Sequence, residues 1–127
     1  MGSAAKGVRQ GLGRTGERLA AERLQQSGYV ILERNFRCCY GEIDLVAEHE
    51  SDLVFIEVKT RRGLSRGLPE EAVNQRKQQK IIQVGHYYLF ITNADPARSW
   101  RVDVVAVQLS ATGRLEEIRI YQHAFDE

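Results

Sequence analysis

Two short stretches place acids and a lysine where they could do chemistry together: Gly41-Glu-Ile-Asp-Leu-Val-Ala47 and Val54-Phe-Ile-Glu-Val-Lys-Thr-Arg61. Side chains alternate across a strand, so Ile43, Leu45 and Ala47 are expected to face a core and Asp44 the opposite side. In the second stretch Val54, Ile56 and Val58 make the core face, leaving Leu53, Phe55, Glu57 and Lys59 on the other. The apolar half of that set predicts a second covered face whose polar end opens into a cleft. His49-Glu-Ser-Asp52 between the stretches predicts a β-hairpin. Its register would set Glu48 opposite Leu53, Asp44 opposite Glu57 and Glu42 opposite Lys59. Directly opposed Cβ atoms lie about 4.5–5.5 Å apart, so the two carboxylates repel unless positive charge sits between them. Lys59 supplies one charge, and a hard divalent cation with oxygen ligands, Mg²⁺ or Mn²⁺, would supply the rest. Such a site can polarise a phosphodiester while the lysine orients or deprotonates a water. The expected reaction is metal-dependent phosphodiester hydrolysis, with Asp44 and Glu57 as metal ligands and Lys59 as the catalytic lysine.

The charge distribution agrees with an anionic polymer as substrate. Residues 1–40 carry seven basic and three acidic side chains, residues 41–60 one and six, and residues 61–80 six and two. An acidic block thus lies between two basic ones, although the whole chain is only +1. Arg61, Arg62 and Arg66, read as a flexible basic loop, are candidate clamps for a DNA backbone. Gln75 and Lys77, on the helix that follows, could contact a phosphate or the attacking water.

The elements that must position these residues read in the order α-β-β-β-α-β-β, an α/β sandwich with a mixed sheet of about five strands. A helix is expected over Arg14 to Gln26, ended by Ser27-Gly28. Strands follow over 29–36, 42–48 and 53–60. A second helix is expected from Pro69 to about Phe90, interrupted near Asn74, then strands over 100–109 and 115–121. Glu42 reads either as the cross-strand partner of Lys59, the favoured reading, or as an acid supporting the metal ligands. Asp103 is expected to be structural, and Tyr87 and Tyr88 to pack in the core. Gly11-Leu-Gly-Arg-Thr-Gly16 fits a dinucleotide-binding glycine pattern, but no strand precedes it.

Together these stretches resemble the PD-(D/E)xK nuclease signature, with Ile43 where the motif's name gives proline. More closely, the chain resembles the YraN-like family of uncharacterised bacterial proteins, related to archaeal Holliday junction resolvases. Gly13-Arg-Thr-Gly-Glu17, Asn35, Lys77 and Arg101-Val-Asp-Val-Val105 match that family as well. The resemblance implies a restriction-endonuclease-like three-layer sandwich and metal-dependent cleavage of DNA, branched or otherwise structured. It adds Glu17 to Asp44 and Glu57 as a metal-binding acid and implies a homodimer, although no interface stripe is visible in the sequence. A non-catalytic nucleic-acid-binding or adaptor protein on the same scaffold is the alternative.

At 127 residues with 43% hydrophobic side chains, the chain is sized for one core. Residues 1–12 read as a flexible tail and 13–127 as a single domain. No apolar run reaches the length of a membrane span, and no signal-peptide stretch opens the sequence. The two cysteines, Cys38 and Cys39, are neighbours and cannot form a disulfide framework, which fits a cytoplasmic protein.

Overall fold

The computed structural model describes residues 2–63 and 74–124, with side chains from residue 11 onward. Helix α1 (Gly2–Gln26) is followed by strands β1 (Val30–Cys38), β2 (Gly41–His49) and β3 (Asp52–Arg62). Helix α2 (Gln75–Ile91) then leads to β4 (Trp100–Leu109) and β5 (Leu115–Tyr121). The strands form one sheet in chain order, β1-β2-β3-β4-β5. Only β3 and β4 run parallel, as a crossover through α2 requires, and the other neighbours are antiparallel.

The order of elements and the mixed five-stranded sheet are those the sequence pattern predicts. The sheet is sandwiched because both of its faces are apolar. Leu45, Ala47, Val54, Ile56, Val105 and Val107 bury one face with Ala20, Ala21 and Leu24 of α1. Val46, Leu53, Phe55, Val102 and Val104 bury the other with Ile81, Val84 and Tyr88 of α2. Leu53 and Phe55 thus form the second covered face anticipated for β3. Tyr88 is core, as expected, whereas Tyr87 is only partly buried.

Helix α1 begins at Gly2 rather than Arg14, so the backbone of the expected tail is helical from its second residue. Gly7, Gly11, Gly13 and Gly16 each weaken a helix by about 1 kcal/mol, which is why its first half does not read as one. The C-terminus lies where Ser27-Gly28 predicts, with Gly28 at φ 91. Helix α2 starts at Gln75 with Asn74 as its N-cap, so the break read near Asn74 is a true helix start. The expected helical turns from Pro69 to Val73, and Arg66, lie outside the described residues. Strand β3 continues through Arg62, so Arg61 and Arg62 belong to the sheet and not to a loop.

At the far end of the sheet a buried polar knot closes the β2–β3 hairpin. Its turn, Glu50-Ser51, has both residues at positive φ (50 and 73), the twist favoured in two-residue hairpins. Behind it the buried Arg101 guanidinium donates to Asp103 Oδ1 at 3.0 Å, Asp52 Oδ2 at 2.8 Å and the Tyr29 hydroxyl at 3.3 Å. A further Arg101 nitrogen lies 2.7 Å from His49 Nδ1, and the Tyr29 and His49 rings stack at 4.0 Å. Asp103, fully buried, also accepts from the Tyr29 hydroxyl at 2.7 Å and from the His123 amide at 3.1 Å. Asp103 is therefore structural, as its alternation with Arg101 suggests.

Candidate metal and phosphodiester site

The chemistry-bearing residues gather where β2 and β3 part. From His49↔Asp52 to Leu45↔Ile56 the hairpin keeps the expected register, including Glu48↔Leu53. The ladder ends there, one rung before Asp44 and Glu57 would pair. Asp44 takes over the bonding itself: its Oδ2 accepts from the Val58 amide at 2.7 Å. The expectation of a regular Asp44–Glu57 rung is thus corrected. The side chain of one acid wedges the strands apart, and the parted strands form the mouth of a cleft.

The parting coincides with an irregularity in the β1–β2 pair. Arg34 pairs with Leu45 and Phe36 with Ile43, so Asn35 and Asp44 share the rung between. Asn35 sits at φ 53, a left-handed conformation that Asn tolerates better than most residues. Beyond this rung the facing reverses. Leu45 and Ala47 pack in the α1 layer, whereas Ile43 packs with Phe36 in the α2 layer. The expectation that Ile43, Leu45 and Ala47 share one face is therefore wrong at Ile43.

The reversal carries Glu42 away from Lys59 and toward α1. Glu42 pairs with Arg37, its β1 ladder neighbour, at 2.9 Å, not with Lys59 as the simple register requires. Carboxylate oxygens of Glu17, Glu42 and Asp44 lie within 4.8 Å of one another, a spacing that one ion could bridge. Asn35, with its amide nitrogen turned to the acids, donates to Glu17 Oε2 at 3.1 Å and Glu42 Oε1 at 3.3 Å. Glu17 reaches this group because α1 lies unusually close to β3. A Cβ placed on Gly16 would overlap Thr60 Oγ1 and lie 2.8 Å from Thr60 Cβ, so only glycine permits the approach.

Glu57 stands on the opposite wall, buried and held by two lysines. Lys77 Nζ lies 2.6 Å from Glu57 Oε1, and Lys59 Nζ lies 3.5 Å from the same oxygen. Lys77 is delivered by the start of α2, where Asn74 Oδ1 accepts from the Lys77 amide at 2.9 Å. A cation in the first turn opposes the helix dipole, and the contact with Glu57 offsets that cost. Glu42, Asp44, Glu57, Lys77 and Lys80 line one cleft of about 340 Å³ with Gly41 and Ile81.

Electrostatics follow from crowding acids in a half-dry site. Burial first, then the charge of Glu57, push the Asp44 carboxyl up to about 8, against the pull of the Val58 amide. Burial also raises Glu17, and the Glu42 and Glu57 charges add to it, while the Asn35 and Asp44 hydrogen bonds act in the other direction. Burial and like charge thus favour the protonated form of Asp44. Burial lowers the Lys59 amine, and the neighbouring Lys77 ammonium lowers it further. Burial works on Lys77 in the same sense, but its contact with Glu57 prevails and raises it. The two lysines are thus pushed apart, one toward a base and one toward a fixed cation.

Asp44, Glu57, Lys59 and Glu17, the expected site residues, thus come together, and Glu42 is the neighbour whose expected partner is wrong. Lys77, expected to face a phosphate or the attacking water, grips Glu57 at the cleft lining. Glu42 joins the acidic group. Gln75 is exposed at the first residue of α2. Arg62 Nε donates to the Ala111 carbonyl at 2.9 Å, and Arg61 is half-buried on β3. The signal for Glu42 was Asn35, whose type tolerates the backbone twist that reverses the strand. Cys38 is half-buried and Cys39 exposed, both as free thiols. No helix among the described residues is long and apolar enough to cross a membrane.

Comparison with known proteins places this geometry in a family. The model of a family described as "Uncharacterised protein family UPF0102" matches residues 16–107, a span running from the glycine that seats α1 through the site and into β4. A UPF0102 protein of Clostridium botulinum strain 657 is 43% identical over 114 residues, covering 90% of this chain and 93% of that protein. One from Caldanaerobacter subterraneus is 42% identical over 115 residues, covering 90% and 93%. One from Syntrophotalea carbinolica is 44% identical over 118 residues, covering 93% and 94%. The chain belongs to the uncharacterised family UPF0102.

Proposed function

We propose that the protein is a cytoplasmic, divalent-metal-dependent DNA endonuclease of the PD-(D/E)xK type, acting on branched or otherwise structured DNA. The observation that carries this reading is the Glu17–Glu42–Asp44 carboxylate group together with the Lys59–Glu57–Lys77 cluster, with Glu42, Asp44, Glu57 and Lys77 lining one cleft. Three hard oxygen donors within 4.8 Å suit Mg²⁺ or Mn²⁺, and Glu57, across the cleft that Glu42 and Asp44 line, faces the same space. When bound, such an ion neutralises charge on the phosphate oxygens and lowers the pKa of water. The protein's own residues do the rest. Lys59, with its lowered pKa, orients the attacking water and takes its proton. Lys77 stays charged, fixes Glu57 and adds positive potential at the scissile phosphate. Asn35 holds Glu17 and Glu42 in place through its amide. Arg61, Arg62 and Arg66 would steer the DNA backbone, so affinity should fall steeply with salt. A homodimer would let two such sites act on the two strands of a branch.

The test compares wild type with Glu57→Ala and Lys59→Ala on plasmid and four-way-junction DNA with Mg²⁺ or Mn²⁺. Cleavage by the wild type alone is expected. Absence of wild-type cleavage on every substrate, or equal cleavage by the variants, overturns the reading. DNA affinity in EDTA that ignores Asp44 and Glu57 would instead indicate an adaptor.

A further inference from the structure

The cleft has an aromatic rim that the hydrolytic residues do not use. Tyr40 stands at the tip of the β1–β2 hairpin, where the rung Cys38↔Gly41 leaves only Cys39 and Tyr40 in the loop. It is 44% exposed, yet it is braced. The Tyr87 ring meets it at 5.9 Å and 68°, and Tyr87 lies 6.4 Å from Phe36. Phe36 in turn sits edge-on to the core ring of Tyr88 at 5.1 Å and 89°. A chain of rings thus anchors Tyr40 to the α2 layer while leaving part of its surface to solvent. An isolated exposed tyrosine would lose rotamer freedom on binding, whereas this one is already restrained.

Its position connects it to the site. Gly41 and Glu42, the next two residues, line the cleft, and so does Lys80 on α2. On that helix Arg76, Lys80, Gln83 and Tyr87 recur at helical spacing and form one ridge. The first three are exposed, and the fourth supports Tyr40. Lys80 makes no ion pair among the described residues. Cations followed by an aromatic along one ridge suit a strand whose phosphates meet the lysine and arginine and whose base meets the ring. A base inside a duplex has both of its faces covered by its neighbours and cannot be received this way. An unpaired base can.

Building on the nuclease reading, we infer that Tyr40, braced by Tyr87, is a stacking platform for an unpaired DNA base beside the cleft, so the preferred substrate carries a single-stranded or splayed segment. Tyr40 is a positioning and specificity residue. It acts on which phosphate enters the cleft and not on bond breaking.

The test is a binding titration that needs no cleavage. The full-length protein in EDTA is titrated with a 20-nucleotide single strand carrying one 2-aminopurine, and with the blunt duplex of the same sequence. The wild type is expected to bind the single strand at least about tenfold more tightly and to quench the 2-aminopurine. Tyr40→Ala should lose roughly 5–50-fold in single-strand affinity, together with the quench, and less than twofold on the duplex. Tyr40→Phe should retain both, and thermal melting verifies that each variant folds. A wild type without single-strand preference, or a Tyr40→Ala that binds and quenches like wild type, overturns the inference. The titration reads binding and not hydrolysis, so a failure of the hydrolytic reading alone would appear as Tyr40-dependent quenching by a wild type that cleaves nothing with Mg²⁺ or Mn²⁺.

Discussion

Lys77 Nζ lies closer to Glu57 Oε1 than Lys59 does, at 2.6 Å against 3.5 Å, although Lys59 is only two residues from Glu57 on the same strand. The more distant residue in sequence is the tighter partner, and it leaves Lys59 the freer of the two. The roles therefore separate. Lys59→Ala should reduce the cleavage rate by about 10²–10⁴-fold, the range typical for removing a general acid or base. Lys77→Met should cost about 10–10²-fold by releasing Glu57. Single-turnover rates across pH distinguish them: Lys77→Met removes the ammonium that lowers Lys59 and should shift the profile to higher pH, whereas Lys59→Ala should flatten it.

Without metal, stability should fall as pH rises. Asp44 sits at about 8 in the folded protein and near the ordinary carboxylate value when unfolded. Below about pH 4 both states hold the proton and the group is neutral to folding. Between about 4 and 8 only the folded state keeps it, so the unfolded state is increasingly favoured, and above 8 the loss levels off. Asp44→Asn keeps an oxygen for the Val58 amide and removes the charge. In EDTA at pH 8 it should gain about 1–3 kcal/mol, read as a melting temperature several degrees higher, and gain little at pH 4.

Metal binding should release a proton. A carboxyl still protonated at neutral pH must lose that proton to act as a ligand. Calorimetry with Mn²⁺ at pH 6.5 in buffers of different ionisation enthalpy should report nearly one proton released per ion. Release should fall toward zero at pH 9 and be absent in Asp44→Asn.

Gly16→Ala should damage both stability and activity, because a methyl group there collides with Thr60 and lifts α1 from β3. A cost of about 1–3 kcal/mol is expected from overpacking. The Gly16→Ala, Thr60→Ala double variant should recover part of it, as a chemical denaturation cycle would show. If Gly16→Ala melts like wild type, the close approach does not position Glu17.

The polar knot should behave oppositely to the acidic group. Arg101→Met leaves Asp103 buried without its main partner, and a loss of about 3–5 kcal/mol is expected. Urea unfolding should show a matching fall in the midpoint.

The hairpin register was legible because β3 carries two apolar faces and a one-residue slip would expose both. The bounds of β4 and β5 were legible for a similar reason, each being an uninterrupted run between turn residues. What alternation could not reveal was the reversal at Asn35 and Asp44. Parity assumes an extended backbone at every residue, and one left-handed residue invalidates it for everything beyond. Asn35 breaks parity in β1, and β2 changes face at the rung paired with it, which carries Glu42 away from Lys59. The Lys77–Glu57 contact is not legible for a different reason: seventeen residues lie between Lys59 and Lys77, and only the crossover through α2 brings the helix start over β3. Glu17 came from family resemblance, while its physical cause, the glycine that admits α1, needed coordinates.

One hairpin thus carries two ends of opposite character. Around Arg101 and Asp103 each buried charge has its partners, whereas around Asp44 like charges crowd together and a proton must be retained. Natural or engineered drift should therefore erase the proposed hydrolysis more readily than architecture. Loss of an acid at the crowded end relaxes the molecule, so inert but sturdy descendants of this chain should be easy to reach by single substitutions.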